Sequence, residues 1–198
     1  MITKLSPDKY KSFFEKAVTY KTYLDDFVNR MSHSRDDGYD TYLPLNWQRT
    51  TRLDKTFQPS TDATEQILRL ERPVMWLLIA EHWCGDVSQS IPVIARLAAI
   101  SNNHIELRIA YRDANPELMD AHLTDGESRS IPKLIQLDSD FKITGEWGPR
   151  PQSAQALVKQ LKSDPATADS YAEALHKWYA NDKQLALQNE LLNLLSRA

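Results

Sequence analysis

Cys84 is the only cysteine in the chain, and it stands where an apolar run ends and a helical pattern begins, in Glu81-His82-Trp83-Cys84-Gly85-Asp86. A thiol at a helix start meets unpaired backbone N–H groups and the positive end of the helix dipole. Both favour the thiolate, the nucleophilic form of cysteine. His82 adds a positive charge there if protonated. Asp86 in the first helical turn, and Glu81 before it, pull the other way, because one negative charge disfavours another nearby. The sequence leaves the net acidity of Cys84 open. A lone cysteine is most often a small buried hydrophobe. The strand–turn–helix junction, with Gly85 beside the sulfur, argues for an exposed and reactive position instead. With no second cysteine, an intramolecular disulfide and a disulfide-stapled secreted fold are both excluded.

Pro132 is the second signal. It opens a strong strand, a place where proline is tolerated. A cis bond after Ile131 turns the chain tightly into that strand and leaves the Ile131 backbone free to pair with an extended partner; an ordinary trans proline is the plainer alternative. Arg112, at the end of another strand, shares a sheet edge with Cys84 if the two strands are parallel. It is either a cation for a bound anion or a solvated loop charge. Arg150, between Pro149 and Pro151, reads as fixing the entry to the next helix or pairing with an acid. Metal binding through Glu81, His82 and Cys84 is unfavourable, since adjacent residues on one turn rarely converge on one ion. No metal and no cofactor is implied.

These residues need elements to hold them. Residues 74–80 form a continuous apolar run whose length suits a strand buried on both faces. Helical spacing follows over 84–100, with Val87, Ile91, Ile94, Ala95 and Ala98 on one side. A second strand is expected over 104–111, a short helix over 116–123, and strands over 131–137 and 141–147 about a tight turn at Asp138-Ser139-Asp140. The order β–α–β–α–β–β–α predicts two parallel strands joined by a helical crossover, then an antiparallel hairpin. The first seventy residues read as helices. Ser6 caps the first of them, and Tyr23, Leu24, Phe27, Val28 and Met31 form the buried stripe of the second. Residues 34–40 read as a loop, 45–57 and 61–70 as helices. Beyond the hairpin, helices are expected over 152–162 and 167–195, the latter broken near Asn181-Asp182. The leucines of the last segment form an amphipathic face that packs internally or dimerises.

Composition sets the outer bounds. The chain has 198 residues, 41% hydrophobic and 26% charged, with a net charge of −3. That suits an ordinary globular protein and supplies no basic field for nucleic acid or anionic lipid. The longest apolar run is too short to cross a bilayer, and no basic-then-apolar leader is visible at the start. A reducing cytoplasm is the default compartment.

Together the motifs resemble the thioredoxin family. Trp83-Cys84-Gly85 after a buried strand resembles the Trp-Cys-Gly-Pro-Cys motif, and Ile131-Pro132 resembles the Ile–cis-Pro pair that lies opposite the active cysteine. Pro92, eight residues after Cys84, stands at the offset of the family's helix-kinking proline. The longer run from Glu81 to Asp86, with Arg129-Ser130-Ile131-Pro132 and Trp147-Gly148-Pro149-Arg150-Pro151, resembles a bacterial subgroup of uncharacterised single-cysteine thioredoxin-like proteins. The resemblance implies an α/β fold, a three-layer α/β/α sandwich about a mixed sheet at 71–163. A helical extension at 1–70 and further helices at 164–198 complete the expected chain.

The departures bear on activity. Asp86 and Val87 replace the family's proline and resolving cysteine, and Leu78 stands where its buried carboxylate belongs. Without a second thiol, the dithiol–disulfide cycle cannot close within one chain. Glu81 at the position of a peroxiredoxin threonine argues against that chemistry, and the match to monothiol glutaredoxins fails at Asp86 and Val87. Two expectations remain. One is a single-cysteine thiol–disulfide oxidoreductase or redox-responsive protein. In it Cys84 forms mixed disulfides with protein or low-molecular-weight thiols and disulfides, Trp83 shields the sulfur, and Gly85, Asp86, Ile131 and Pro132 shape the groove. The other is a binding module on the same fold, holding an extended peptide beside Pro132 with no redox step.

Overall fold

In a computed structural model, which describes residues 5–33 and 37–197, the chain begins with helices that guard a sheet edge. Ser6 accepts from Lys9 N at the start of α1 (Pro7–Lys16), and Thr19 does the same for Thr22 N at the start of α2 (Tyr20–Ser32). Between them Val18 exchanges two backbone hydrogen bonds with Ile109, at 2.9 and 2.8 Å. This isolated bridge covers part of what would otherwise be an open strand edge. The stripe of α2 is narrower than its spacing predicts. Tyr23 and Phe27 are fully buried, whereas Val28 is exposed and Arg30 takes an interior place. Arg30 does so because Asp37 accepts two of its hydrogen bonds and Asp40 pairs with it. The loop expected at 34–40 lies outside the described residues at 34–36; a 3-10 turn at Asp40–Tyr42 then leads into α3 (Leu43–Thr56), and α4 (Thr61–Leu68) follows under a Ser60 cap.

The sheet comes next. Its strands are β1 (Val74–Ala80), β2 (Ile105–Tyr111), β3 (Lys133–Leu137) and β4 (Ile143–Trp147), in the order β2-β1-β3-β4. β1 pairs parallel with β2, Val74 facing Ile105 and Ala80 facing Tyr111. α5 (Gly85–Ala99) makes the crossover, carrying Pro92 within it. β3 runs antiparallel to both β1 and β4. The mixed α/β sheet with helices on both sides and extra helices at each end is the architecture expected. β1 is paired on both edges and covered by helices on both faces, so Trp76 through Ala80 are fully buried.

α6 (Pro116–Asp120) is a single short helix, and α7 (Gln152–Ser163), α8 (Tyr171–Asp182) and α9 (Leu185–Leu195) close the chain. The last two are separate helices. The break comes at Lys183 and Gln184, both left-handed at φ 52° and 63°, two residues beyond the expected point. α9 folds back so that Leu187, Leu191, Leu192, Leu194 and Leu195 join the main core. α7 and α8 share a smaller core of their own, Ala154, Val158, Leu175 and Tyr179.

Candidate functional site

Cys84 is the N-cap residue of α5, in extended conformation, with its backbone oxygen accepting from Ser88 N at 3.1 Å. Its Sγ donates to Ile131 O at 3.3 Å. The Ile131–Pro132 peptide is cis. The sulfur therefore faces the backbone just ahead of Pro132, and β1, α5 and β3 all contribute to that meeting.

The sulfur is more enclosed than its place in the sequence suggests. Cys84 is half-buried, because α3 comes over it from the N-terminal side and α8 from the C-terminal side. Asn46 Nδ2 donates to His82 O at 3.1 Å, which fastens α3 to the turn. A Cβ on Gly85 would lie 3.4 Å from Arg49 Nη1 and 3.5 Å from His176 Cε1, so both side chains rest on the first turn of α5. Burial, and then the charge of Asp86, push the Cys84 thiol up to about 12, outweighing the backbone hydrogen bonds at the helix start and the pull of Arg150. The sequence left this direction open; desolvation by remote helices decides it.

Asp86 is buried and does more than decorate the helix start. Its Oδ2 lies 2.6 Å from Arg150 Nη2, and Tyr179 OH donates to its Oδ1 at 3.0 Å. Burial raises the Asp86 carboxyl, and Arg150, Tyr179 and Arg49 oppose that shift. Arg150 also donates to Gln155 Oε1 at 2.9 Å, so it both pairs with an acid and fixes the start of α7. Sequence reading offered those two roles as alternatives. It missed Asn46, Arg49, His176 and Tyr179. Their helices carry ordinary helical patterns with no spacing that ties them to Cys84.

The neighbours upstream are arranged differently. His82 does not sit as an open cation beside the thiol. Its ring packs among Tyr23, Phe27 and Tyr111, with centroids 4.4, 4.5 and 5.3 Å away, and its Nε2 donates to Tyr23 O at 3.1 Å. Glu81 accepts from Asp113 N at 2.9 Å and so ties the end of β1 to the loop after β2. Trp83 is held between Tyr39, stacked at 4.4 Å, and the Arg112 guanidinium, 4.5 Å from the ring centre. Arg112 also pairs with Asp113. Among the described residues no group of His, Cys, Asp and Glu is placed to hold a metal ion, and no helix is long and apolar enough to cross a membrane.

A four-stranded mixed sheet, an N-capping cysteine after its central strand and a proline opposite that cysteine define a thioredoxin-like α/β protein. A family model described as thioredoxin matches residues 32–162, and the chain belongs to that family. Two solved structures share the fold over nearly the whole length. One is a protein of unknown function from Pseudomonas aeruginosa, 19% identical, with a TM-score of 0.64, covering 94% of this chain and 96% of that one. The other is an HIV epitope scaffold, 19% identical, with a TM-score of 0.61, covering 96% of this chain and 98% of that one. No curated protein matches the chain.

Proposed function

We propose that this chain is a single-cysteine member of the thioredoxin family that acts by mixed-disulfide formation at Cys84. Residues 71–163 are its thioredoxin-like domain, and residues 1–70 and 164–198 are helical additions, of which α3 and α8 wall the site. The observation that carries the reading is the Cys84 sulfur set 3.3 Å from Ile131 O. An incoming chain or small disulfide would approach there, against the Pro132 turn, with Trp83 shielding the sulfur. In the step itself, Cys84 Sγ attacks one sulfur of R–S–S–R′. The S–S bond breaks, Cys84–S–S–R forms, and R′S⁻ leaves and takes up the proton that Cys84 gave up. No net oxidant is consumed. Release requires a second thiol from outside, because the chain has no other cysteine. A lone free cysteine suits a reducing cytoplasm, and the run Trp83-Cys84-Gly85-Asp86 suits the bacterial subgroup it resembles.

A second reading is favoured by one observation, the thiol pushed up to about 12. Such a sulfur is a poor resting nucleophile, which suits a binding module on the same fold with no redox step. Incubation of the chain with hydroxyethyl disulfide, followed by intact-mass measurement, separates the two. A single adduct that Cys84→Ser abolishes supports exchange. No adduct, even at alkaline pH where the thiol ionises, ends the redox reading and leaves the binding module.

A further inference from the structure

We propose that the cavity between α3, α8 and the Cys84 turn binds a small amphipathic organic anion, one carboxylate on an apolar or aromatic body. The inference goes beyond the thiol chemistry and stands or falls without it. The cavity has a volume of about 490 Å³, within the range that admits a small-molecule ligand.

Charge selects the anion. Three residues that line the cavity bear charge: Asp86, Arg150 and Arg49. Asp86 and Arg150 neutralise one another at 2.6 Å. The remaining cation is Arg49. It donates to Asn46 Oδ1 on its own helix at 3.2 Å, and no carboxylate of the described residues lies within ion-pairing distance of it. Burial presses the Arg49 pKa down, with the more distant Asp86 only partly opposing this. His176 adds no charge, because burial and Arg49 hold its imidazole down at about 4. The guanidinium also rests on the first turn of α5, at the positive end of the helix dipole. Asp86 in that turn is already paired with Arg150, so a further anion there would find Arg49 as its partner. The surplus is a single positive charge, which favours a monoanion, and the fork of a guanidinium matches a carboxylate.

The walls select the body. Of the large hydrophobic side chains left exposed among the described residues, Tyr39, Tyr42 and Leu45 line this one cavity, with Tyr42 56% and Leu45 50% exposed. Leu175 and the Trp83 indole also line it. An apolar surface gathered around one under-partnered guanidinium fits a ligand with the same division.

Titration calorimetry of the full chain with 4-phenylbutyrate and with its neutral counterpart 4-phenylbutanol tests this. The acid is expected to bind about tenfold more tightly than the alcohol, the worth of one charge-assisted hydrogen-bonded contact. Arg49→Gln is expected to remove that preference, and Arg49→Lys to keep part of it. Circular dichroism on each variant checks that it folds. No heat with the acid, equal affinity for acid and alcohol, or an unchanged preference in Arg49→Gln each overturns the inference. Exchange with hydroxyethyl disulfide is measured on the same preparations. Binding without exchange sinks only the thiol reading, and exchange without binding sinks only this one.

Discussion

Two cavities of similar size, about 490 and 450 Å³, lie on either side of Trp83, and they are built to different ends. The smaller is ringed by acids, Asp26, Asp37, Glu81 and Asp113, and each acid has a partner. Asp26 accepts from Tyr111 OH at 2.7 Å, Asp37 from Arg30, Glu81 from Asp113 N, and Asp113 from Arg112. Its polar atoms are spent on joining α2 to the ends of β1 and β2. The larger cavity holds Cys84, an apolar rim and Arg49, which has no such carboxylate among the described residues. Fully partnered charges hold a fold together, whereas an under-partnered one beside an apolar wall is available to a ligand. Trp83, gripped by Tyr39 and Arg112, keeps the two apart.

The largest effect should come from removing the pair that balances the cysteine side. Arg150→Ala leaves Asp86 buried beside Tyr179 without its ion-pair partner, with only the more distant Arg49 still opposing its charge. Breaking a buried pair in this way costs about 3 to 5 kcal/mol. Without Arg150 the carboxyl, already raised by burial, rises further. A carboxyl raised in the folded state weakens the fold as pH climbs past its unfolded value. The deficit against the native chain should thus be smallest in acid, where Asp86 is protonated in both states, and grow toward neutrality. Urea titrations at several pH values would show it; a deficit independent of pH would mean that Asp86 is not the group left stranded. Gly148→Ala attacks the other side of the site, the backbone at Pro132 that the sulfur faces. Gly148 has φ 121°, and a Cβ there would stand 2.2 Å from Pro132 O. A loss of about 2 to 3 kcal/mol is expected, measured by the same titrations.

The third effect is kinetic. Asp86→Asn removes the charge that helps to hold the Cys84 thiol up and frees Arg150 to stabilise a thiolate. Iodoacetamide should then react with Cys84 about tenfold faster near pH 8, equivalent to about one pKa unit. In the native chain the rate should still be climbing at the alkaline end of the range. A native profile that levels off near neutrality would show the sulfur to be less enclosed than the α3 and α8 contacts require.

Much of the fold was legible, for physical reasons that differ along the chain. β1 announces itself because a strand buried on both faces must be apolar throughout, and residues 74–80 are. The hairpin is legible because Asp138-Ser139-Asp140 leaves no room for a crossover. Cys84 and Pro132 were paired through a motif, not through periodicity. What stayed hidden is whatever depends on helices packing from far away in sequence. Arg49 and His176 look like ordinary helix-surface residues, and nothing in their spacing points to residue 84. His82 looked like a cation for the thiol; the aromatic layer of α2 captured it instead. The acidity of Cys84 was unreadable for the same reason, since helix-end chemistry is local and desolvation is not.

The smallest effect concerns the wall between the cavities. Tyr39 stacks on Trp83 at an interplanar angle of 16°, and aromatic pairs of this kind contribute about 0.5 to 1.5 kcal/mol beyond their burial. A double-mutant cycle with Tyr39→Leu and Trp83→Leu should return a coupling in that range. Repeating it with Arg112→Gln and Trp83→Leu should give a similar or smaller coupling from the cation on the other face of the ring. If the Tyr39 coupling vanishes, the indole is free to swing, and the boundary that makes one side acidic and the other basic is not fixed. If it holds, Tyr39→Leu should affect phenylbutyrate binding more than Arg112→Gln does, because Tyr39 lines the larger cavity and Arg112 does not.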